Sequence, residues 1–169
     1  VNMNKKIIIR SIKIFAIGLL LWLFPKFDFE TIRYAGVLPR IAIVFLVSAI
    51  LFLNTTWKTQ AIIAAILLIG YWLAMVLIPT PGYSEPMLDP GVNLAAWIDG
   101  QFLPGLLWEE TWDPEGILST LPAIATGITG MLAGHLIVSE MQQERKIITL
   151  FSFVFFALII GFFWNYVFP

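Results

Sequence analysis

The stretch QAIIAAILLIGYWLAMVLI, Gln60–Ile78, contains no charged residue. As a helix it is long enough to cross the roughly 30 Å hydrocarbon core of a bilayer, which takes about 20 residues. Its apolar residues run continuously rather than alternating, so it reads as a helix and not as a strand of a β-barrel, and only those two architectures satisfy the backbone in lipid. Four other stretches are of the same kind. The spans are read as about residues 7–24, 36–53, 60–78, 118–138 and 147–168. The expected fold is therefore all-α: a polytopic transmembrane helix bundle with five spans, forming a single unit over residues 1–169. Composition points the same way, since 59% of the 169 residues are hydrophobic and 12% charged, too little polar side chain to cover a water-facing surface. A soluble globule is excluded.

Charge is strongly segregated along the chain. The segment from Pro79 to Ile117 carries seven carboxylates and no Lys or Arg, whereas the rest of the chain has ten basic and four acidic residues. Lys5, Lys6, Arg10 and Lys13 sit at the starting end of the first span, Lys58 lies in the second joint, and Arg145 and Lys146 lie in the fourth. By the positive-inside rule these mark the cytoplasmic side. The amino terminus and the turns NTTWKT and SEMQQERK are then inside, and the loop 79–117 is outside, an arrangement expected of a bacterial inner membrane. The first stretch is a span rather than a secretory signal, because its apolar run is long and no small-residue cleavage site follows. The chain begins at Val1 and ends directly after a span, so it reads as a piece of a longer protein.

Residue chemistry narrows the function. There is no cysteine, which removes disulfides, thiolate nucleophiles and sulfur-ligated zinc, and the single histidine, His135, excludes a multi-histidine site, so no metal is expected. No basic face is present for nucleic acid, and the short joints lack a Gly-rich phosphate loop. The outer loop is the one long connection, and its apolar anchors, among them Trp97, Ile98, Leu106, Leu107, Trp108 and Trp112, argue against disorder. Leu94, Trp97 and Ile98 fall at helical spacing, which predicts a short interfacial helix capped by Asn93. Aromatic faces mixed with carboxylates suit a sugar, and the uncompensated negative charge would draw an amine. The alternative is that insertion rules alone exclude positive charge there and that the tryptophans mark the membrane interface.

Asp113–Pro114–Glu115–Gly116 reads as a helix start, with Asp113 at the N-cap and Pro114 at the first helical position. Beyond it, Gly127, Gly130 and Gly134 with Ala123, Thr126 and Ala133 form a face for close helix approach, and Pro122 is expected to bend the helix. Arg40, at the entry to the second span, must snorkel, pair with an acid or bind an anion, and pairing with Asp28, Glu30 or an outer-loop carboxylate is expected.

Two stretches carry a resemblance. DPEGILSTLPAIATGITGMLAGHL, beginning at Asp113, resembles the DPEG-[ILM]-[LI]-[SG]-T signature of the heparan-α-glucosaminide N-acetyltransferase family and its bacterial relatives, and TIRYAGVLPRIAI, from Thr31, is similar to that family's GVLQRIA segment, with Pro39 in place of the usual glutamine. Gly70–Leu73 (GYWL) and Asn93–Asp99 (NLAAWID) fall in the matching order. The resemblance implies a membrane enzyme that moves acetyl from cytoplasmic acetyl-CoA to the amine of a glucosamine-type sugar or glycan acceptor on the far side. It also implies that this chain is a middle portion, with further spans of the same protein as partners in the bilayer. The family's proposed catalytic histidine belongs to a His–Trp–Asn–Gly region upstream that is absent here, and His135 does not match it.

Acetyl transfer to an amine needs a neutral nitrogen and a donor for the tetrahedral oxyanion. Asn93, Asp99, Asp113 and Glu115 are the expected substrate contacts, Ser119 and Thr120 the expected hydroxyl donors, and Arg40 the expected contact for the coenzyme. Two other readings stay open: an amino-sugar transporter or binding protein without acyl transfer, and a structural bundle whose Gly-rich face packs with partner subunits, as in a homo-oligomer.

Overall fold

The computed structural model describes residues 3–166 and 168. Six helices follow one another: α1 (Met3–Leu23), α2 (Val37–Asn54), α3 (Trp57–Leu77), α4 (Leu94–Phe102), α5 (Thr120–Val138) and α6 (Gln143–Trp164). No β-strand occurs among the described residues, where one isolated antiparallel bridge joins Arg33 to Gly105. Helices α2, α3, α5 and α6 are long and apolar enough to cross a membrane. Helix α1 is as long as α3, but every 18-residue window in it keeps at least three basic residues, so it falls short of the other four on charge rather than length. The chain is an integral membrane protein by these four helices. Its contacts divide it into two compact units, residues 1–128 and 129–169.

In the first unit α1 and α2 run past each other in opposite directions. Gly18 lies against Leu38 and Pro39, and Ser11, nearer the start of α1, donates its hydroxyl to Ala42 O at 2.7 Å. Small side chains make this approach possible, since packing between membrane helices gains from close backbones rather than from expelling water. Pro39 sits in the first turn of α2, where its missing N–H would have had no helical partner. The far end of α2 is closed by side chains: Asn54 and Thr55 donate to Ile50 O and Leu51 O at 2.7 and 2.6 Å, and the buried Gln60 donates to Thr55 O at 3.1 Å. The last carbonyls of a helix need such partners where water is scarce. Thr56 caps α3 through Thr59 N.

The predicted short helix is present as α4, and Asn93 caps it, its side-chain oxygen accepting from Ala96 N at 2.9 Å. The start of α5 differs from expectation. Asp113–Gly116 forms a separate turn, closed by Gly116 N donating to Asp113 O at 3.0 Å, and α5 begins only at Thr120. Pro122 therefore lies in the first turn, where it displaces no helical bond and no bend is required. The expected close approach falls on Gly127, where a Cβ would come within 2.7 Å of Ser48 and Val44 of α2, while a Cβ at Gly130 or Gly134 would meet nothing within 4 Å.

In the second unit the turn after α5 is held by Ser139, donating to Leu136 O at 2.7 Å, and by Lys146 Nζ, donating to Ile137 O at 2.7 Å. A cation at the carbonyl end of a helix is favoured by its dipole. No described residue of α6 is buried, and its surface carries Phe151, Phe153, Phe155, Phe156, Phe162 and Phe163, a face suited to lipid.

Gly18 and Gly70 give a paired test of the α1–α2 contact. G18A drives a methyl to within 2.5 Å of Pro39 Cδ, whereas G70A enters open space. Thermal unfolding in detergent is expected to show G18A destabilised by about 1–3 kcal/mol, the cost of overpacking a close contact, and G70A unchanged or slightly more stable.

Candidate functional site

Two connections with little regular structure, 24–36 and 103–119, meet above the helix ends. The first is shaped by Asp28, which accepts from Glu30 N at 3.0 Å and from the Thr31 hydroxyl at 2.8 Å, and by Trp22 Nε1, which donates to Thr31 O at 3.0 Å. The second reaches it at Gly105, whose φ of +82° and position against Ile32 O leave no room for a side chain. Leu106 N donates to Ile32 O at 3.0 Å, and this join delivers Arg33 to the acidic segment.

Arg33 is the centre of the cluster. Its Nε donates to Asp113 Oδ2 at 2.7 Å and its Nη2 to Asp113 Oδ1 at 2.6 Å, a forked pairing, while Nη2 also donates to Glu115 Oε2. The guanidinium lies 4.9 Å from the ring centre of Trp108 and 5.9 Å from that of Trp22, within cation–π range. Asp113 also accepts from Glu115 N at 2.9 Å and Trp108 N at 3.2 Å. A carboxylate offers about four lone-pair sites, so Asp113 is filled from within the protein. That completeness matters, because Arg33 is 7% exposed and Asp113 2%, and charges removed from water are tolerated only when paired and fully hydrogen-bonded. Glu115 is the more accessible acid, its side chain 17% exposed.

Arg40 does not pair with a carboxylate as expected. It donates from Nη1 to Pro114 O at 2.8 Å and from Nη2 to Ser119 O at 2.9 Å, tying α2 to the turn before α5. In the turn 114–119 the carbonyls of Ile117 and Leu118 accept from Thr120 N and Leu121 N, and the five-donor guanidinium supplies those of Pro114 and Ser119. The hydroxyls of Ser119 and Thr120 are turned to the same purpose: Thr120 donates to Gly116 O at 2.6 Å, and Ser119 lies within reach of Pro114 O and Gly116 O at 3.0 and 3.2 Å.

Asp99 approaches the turn from α4. It is 1% exposed, and its Oδ1 accepts from Ile117 N at 2.8 Å. Gly116 lies directly on this carboxylate, where any Cβ would collide, so the glycine of DPEG is needed for space. Burial pushes the Asp99 carboxyl above the ordinary carboxylate range, the Ile117 N–H works against that, and the Asp113 charge adds to it. Burial acts on Asp113 too, but the hydrogen bonds and charge of Arg33, with the Glu115 and Trp108 N–H groups, outweigh it and hold Asp113 below that range.

The structure thus brings together Asp99, Asp113, Glu115, Ser119, Thr120 and Arg40. It places Asn93 apart, as the cap of α4. Sequence reasoning passed over Arg33; its signal was a basic residue on the side that carries the acidic loop. Trp108 was read only as an apolar anchor.

Replacing Arg33 by Ala strands the buried Asp113 charge, and chemical unfolding in detergent is expected to register a loss of about 3–5 kcal/mol. The two aspartates give opposite pH dependences. Asp113, depressed in the folded state, contributes stability that is present above the ordinary carboxylate range and lost as pH falls through its folded value. Asp99, raised in the folded state, contributes most below that range and loses it as pH rises through its folded value. The stability of D99N relative to the parent protein should therefore grow from that range toward neutrality, since Asn keeps the acceptor for Ile117 N–H. D99A should lose about 1–3 kcal/mol throughout, because that donor is left unmet.

Among known proteins, no family model matches this chain and no curated protein matches it significantly.

Proposed function

We propose that this chain is part of a membrane acyltransferase that moves acetyl from cytoplasmic acetyl-CoA to the amine of a glucosamine-type sugar on the outer side of a bacterial inner membrane. In this reading α1 is a fifth crossing, its lysines and arginine snorkelling to the cytoplasmic head groups, and residues 79–117 face outward with α4 at the interface. The remaining spans of a longer protein complete the bundle, and the Gly130/Gly134 face is available to them or to a second copy.

One observation carries the reading. The two stretches that carry the resemblance are some 80 residues apart yet converge on one turn, with Arg33 and Arg40 from the first and Asp113 to Thr120 from the second, and Asp99 of NLAAWID joins them there. Residue identities that would be unrelated in a generic membrane bundle are here bound to one another by hydrogen bonds.

The chemistry divides by accessibility. The amine must lose a proton before its lone pair attacks the acetyl carbonyl, after which the tetrahedral intermediate expels the group that carried the acetyl, whether the coenzyme thiolate or an enzyme side chain acetylated from it. Glu115 is the carboxyl placed to receive the sugar ammonium, being the most reachable of the three acids in the cluster. Asp113 and Arg33 fix Glu115, while Asp99, Ser119, Thr120 and Arg40 hold the turn that carries it, with Asn93 setting the start of α4. Arg40, the expected contact for the coenzyme, is engaged with two backbone carbonyls of this outer turn, so in this reading it serves the turn, and the phosphates of a cytoplasmic coenzyme are left to other residues. The principal base belongs to the upstream region.

The test uses the full-length protein in proteoliposomes with labelled acetyl-CoA on the cytoplasmic side and glucosamine on the other. Labelled N-acetylglucosamine is expected outside, with E115Q reduced at least about tenfold in kcat/KM, equivalent to about 1.4 kcal/mol of transition-state stabilisation. Unchanged turnover in both E115Q and D113N would remove the site, and saturable glucosamine flux with no acetyl transfer would favour the transporter reading.

A further inference from the structure

Helix α1 carries Lys6, Arg10 and Lys13 at positions i, i+4 and i+7, which share one face of a helix, and all three are exposed. We infer that this face is covered by a membrane helix from outside these 169 residues, whose carboxylates lie level with Arg10 and Lys13. Contacts with α2 settle which way the row looks. Ser11 and Gly18 turn toward Ala42, Leu38 and Pro39, and at 3.6 residues per turn the basic row lies roughly a third of a turn around α1 from them. Ile17 and Leu20, also exposed, continue the row toward the other end of the helix.

The same contacts fix the depth of the row. At about 1.5 Å per residue α2 is about 27 Å long, nearly the thickness of the hydrocarbon core. Ala42, level with Ser11, then stands about 18 Å from the Asn54 end of α2, which puts Lys6, Arg10 and Lys13 about 10, 16 and 21 Å from that end. Snorkelling serves Lys5 and Lys6, but Arg10 and Lys13 start deeper than their side chains extend. In the other direction α1 runs on as apolar helix to Leu23, about 15 Å beyond Lys13. Ionisable side chains at such depth face the interior of a bundle and are paired there. Among the described residues both ion pairs belong to Arg33, and Lys6, Arg10 and Lys13 have no side-chain hydrogen bond. Charge and depth together select the occupant. A lipid phosphate stays at the level of the head groups. A second copy brings no acid to this depth, because α1, α2, α3 and α5 contain no Asp or Glu and the one acid of α6, Glu144, lies in its first turn. A helix with carboxylates three or four residues apart can meet both cations in charge-assisted hydrogen bonds. Only the place of α1 beside α2 in the bilayer is needed for this, whether or not an acetyl group moves.

The experiment co-reconstitutes the full chain in nanodiscs with a leucine-rich transmembrane peptide carrying two glutamates three residues apart at its centre, and with the same peptide carrying glutamines. The chain has no cysteine, so I17C beside the basic row and I66C on the exposed face of α3 each give one site for disulfide cross-linking to a cysteine in the peptide. The glutamate peptide is expected to cross-link at I17C and not at I66C, and by energy transfer to bind at least about tenfold more tightly than the glutamine peptide. R10Q and K13Q should each weaken it, and together abolish the preference for glutamate. The two peptides on the unaltered chain give the same comparison without touching its fold. Equal binding of both peptides, binding of neither, or equal cross-linking at the two sites overturns the inference. So does retention of phosphatidylglycerol that R10Q with K13Q removes while neither peptide binds, since the face would then belong to an anionic lipid.

Discussion

Arg33 between Asp113 and Glu115 is the constraint from which the loop-bearing half of the first unit follows. A guanidinium with three hydrogen bonds to two carboxylates, flanked by two indole rings, sits almost out of water. Such a pair is stable only when every lone pair and proton is placed, and the surrounding chain is shaped to place them. Trp108 N and Glu115 N complete Asp113, the Gly105 approach to Ile32 sets the depth of Arg33, and Arg40 holds the carbonyls of the same turn. Loops that cross a membrane surface usually depend on helices for their order; here the two connections are bound directly to each other.

That binding changes what the acidic residues can do. A loop with seven carboxylates invites the picture of a diffuse negative vestibule, yet three of the seven are engaged in fixed local roles. Asp113 is filled by protein donors, Asp99 is buried against Gly116 and Ile117, and Glu115 alone of the three keeps useful contact with solvent. The electrostatic character of the site is therefore set less by net charge than by which carboxylate is spared from structural duty. The opposite displacements of the Asp99 and Asp113 titrations express the same division: one carboxyl is buried with no guanidinium bond, and the other is buried with a forked one.

Small residues supply the complementary constraint in the helical part. Gly18 against Pro39, Gly127 against Ser48 and Val44, and Gly116 against Asp99 are places where a methyl group has no room. The first two bring helix backbones close, which is how apolar helices gain packing energy without a hydrophobic driving force. The third lets a helix present a carboxylate to a turn. At Gly130 and Gly134, read from spacing as part of the same face as Gly127, a Cβ would meet nothing within 4 Å, because spacing along a helix fixes a face but not the neighbour that meets it.

What could be read from the chain alone was whatever depends on local pattern. Continuous apolar runs at Gln60–Ile78 and its counterparts gave membrane helices, because lipid admits only backbones that satisfy themselves, and Asn93 ahead of Leu94, Trp97 and Ile98 gave the capped α4. The first stretch exposed the limit of that pattern: it is long and apolar enough, but its basic residues set it apart from the other four. What only the tertiary structure decided was pairing across distance. Whether Arg33 or Arg40 takes the carboxylates depends on which reaches Asp113 after the chain has travelled 80 residues and been turned at Gly105. A side-chain hydrogen bond has a reach of about 3 Å, and no spacing in the sequence encodes proximity at that scale.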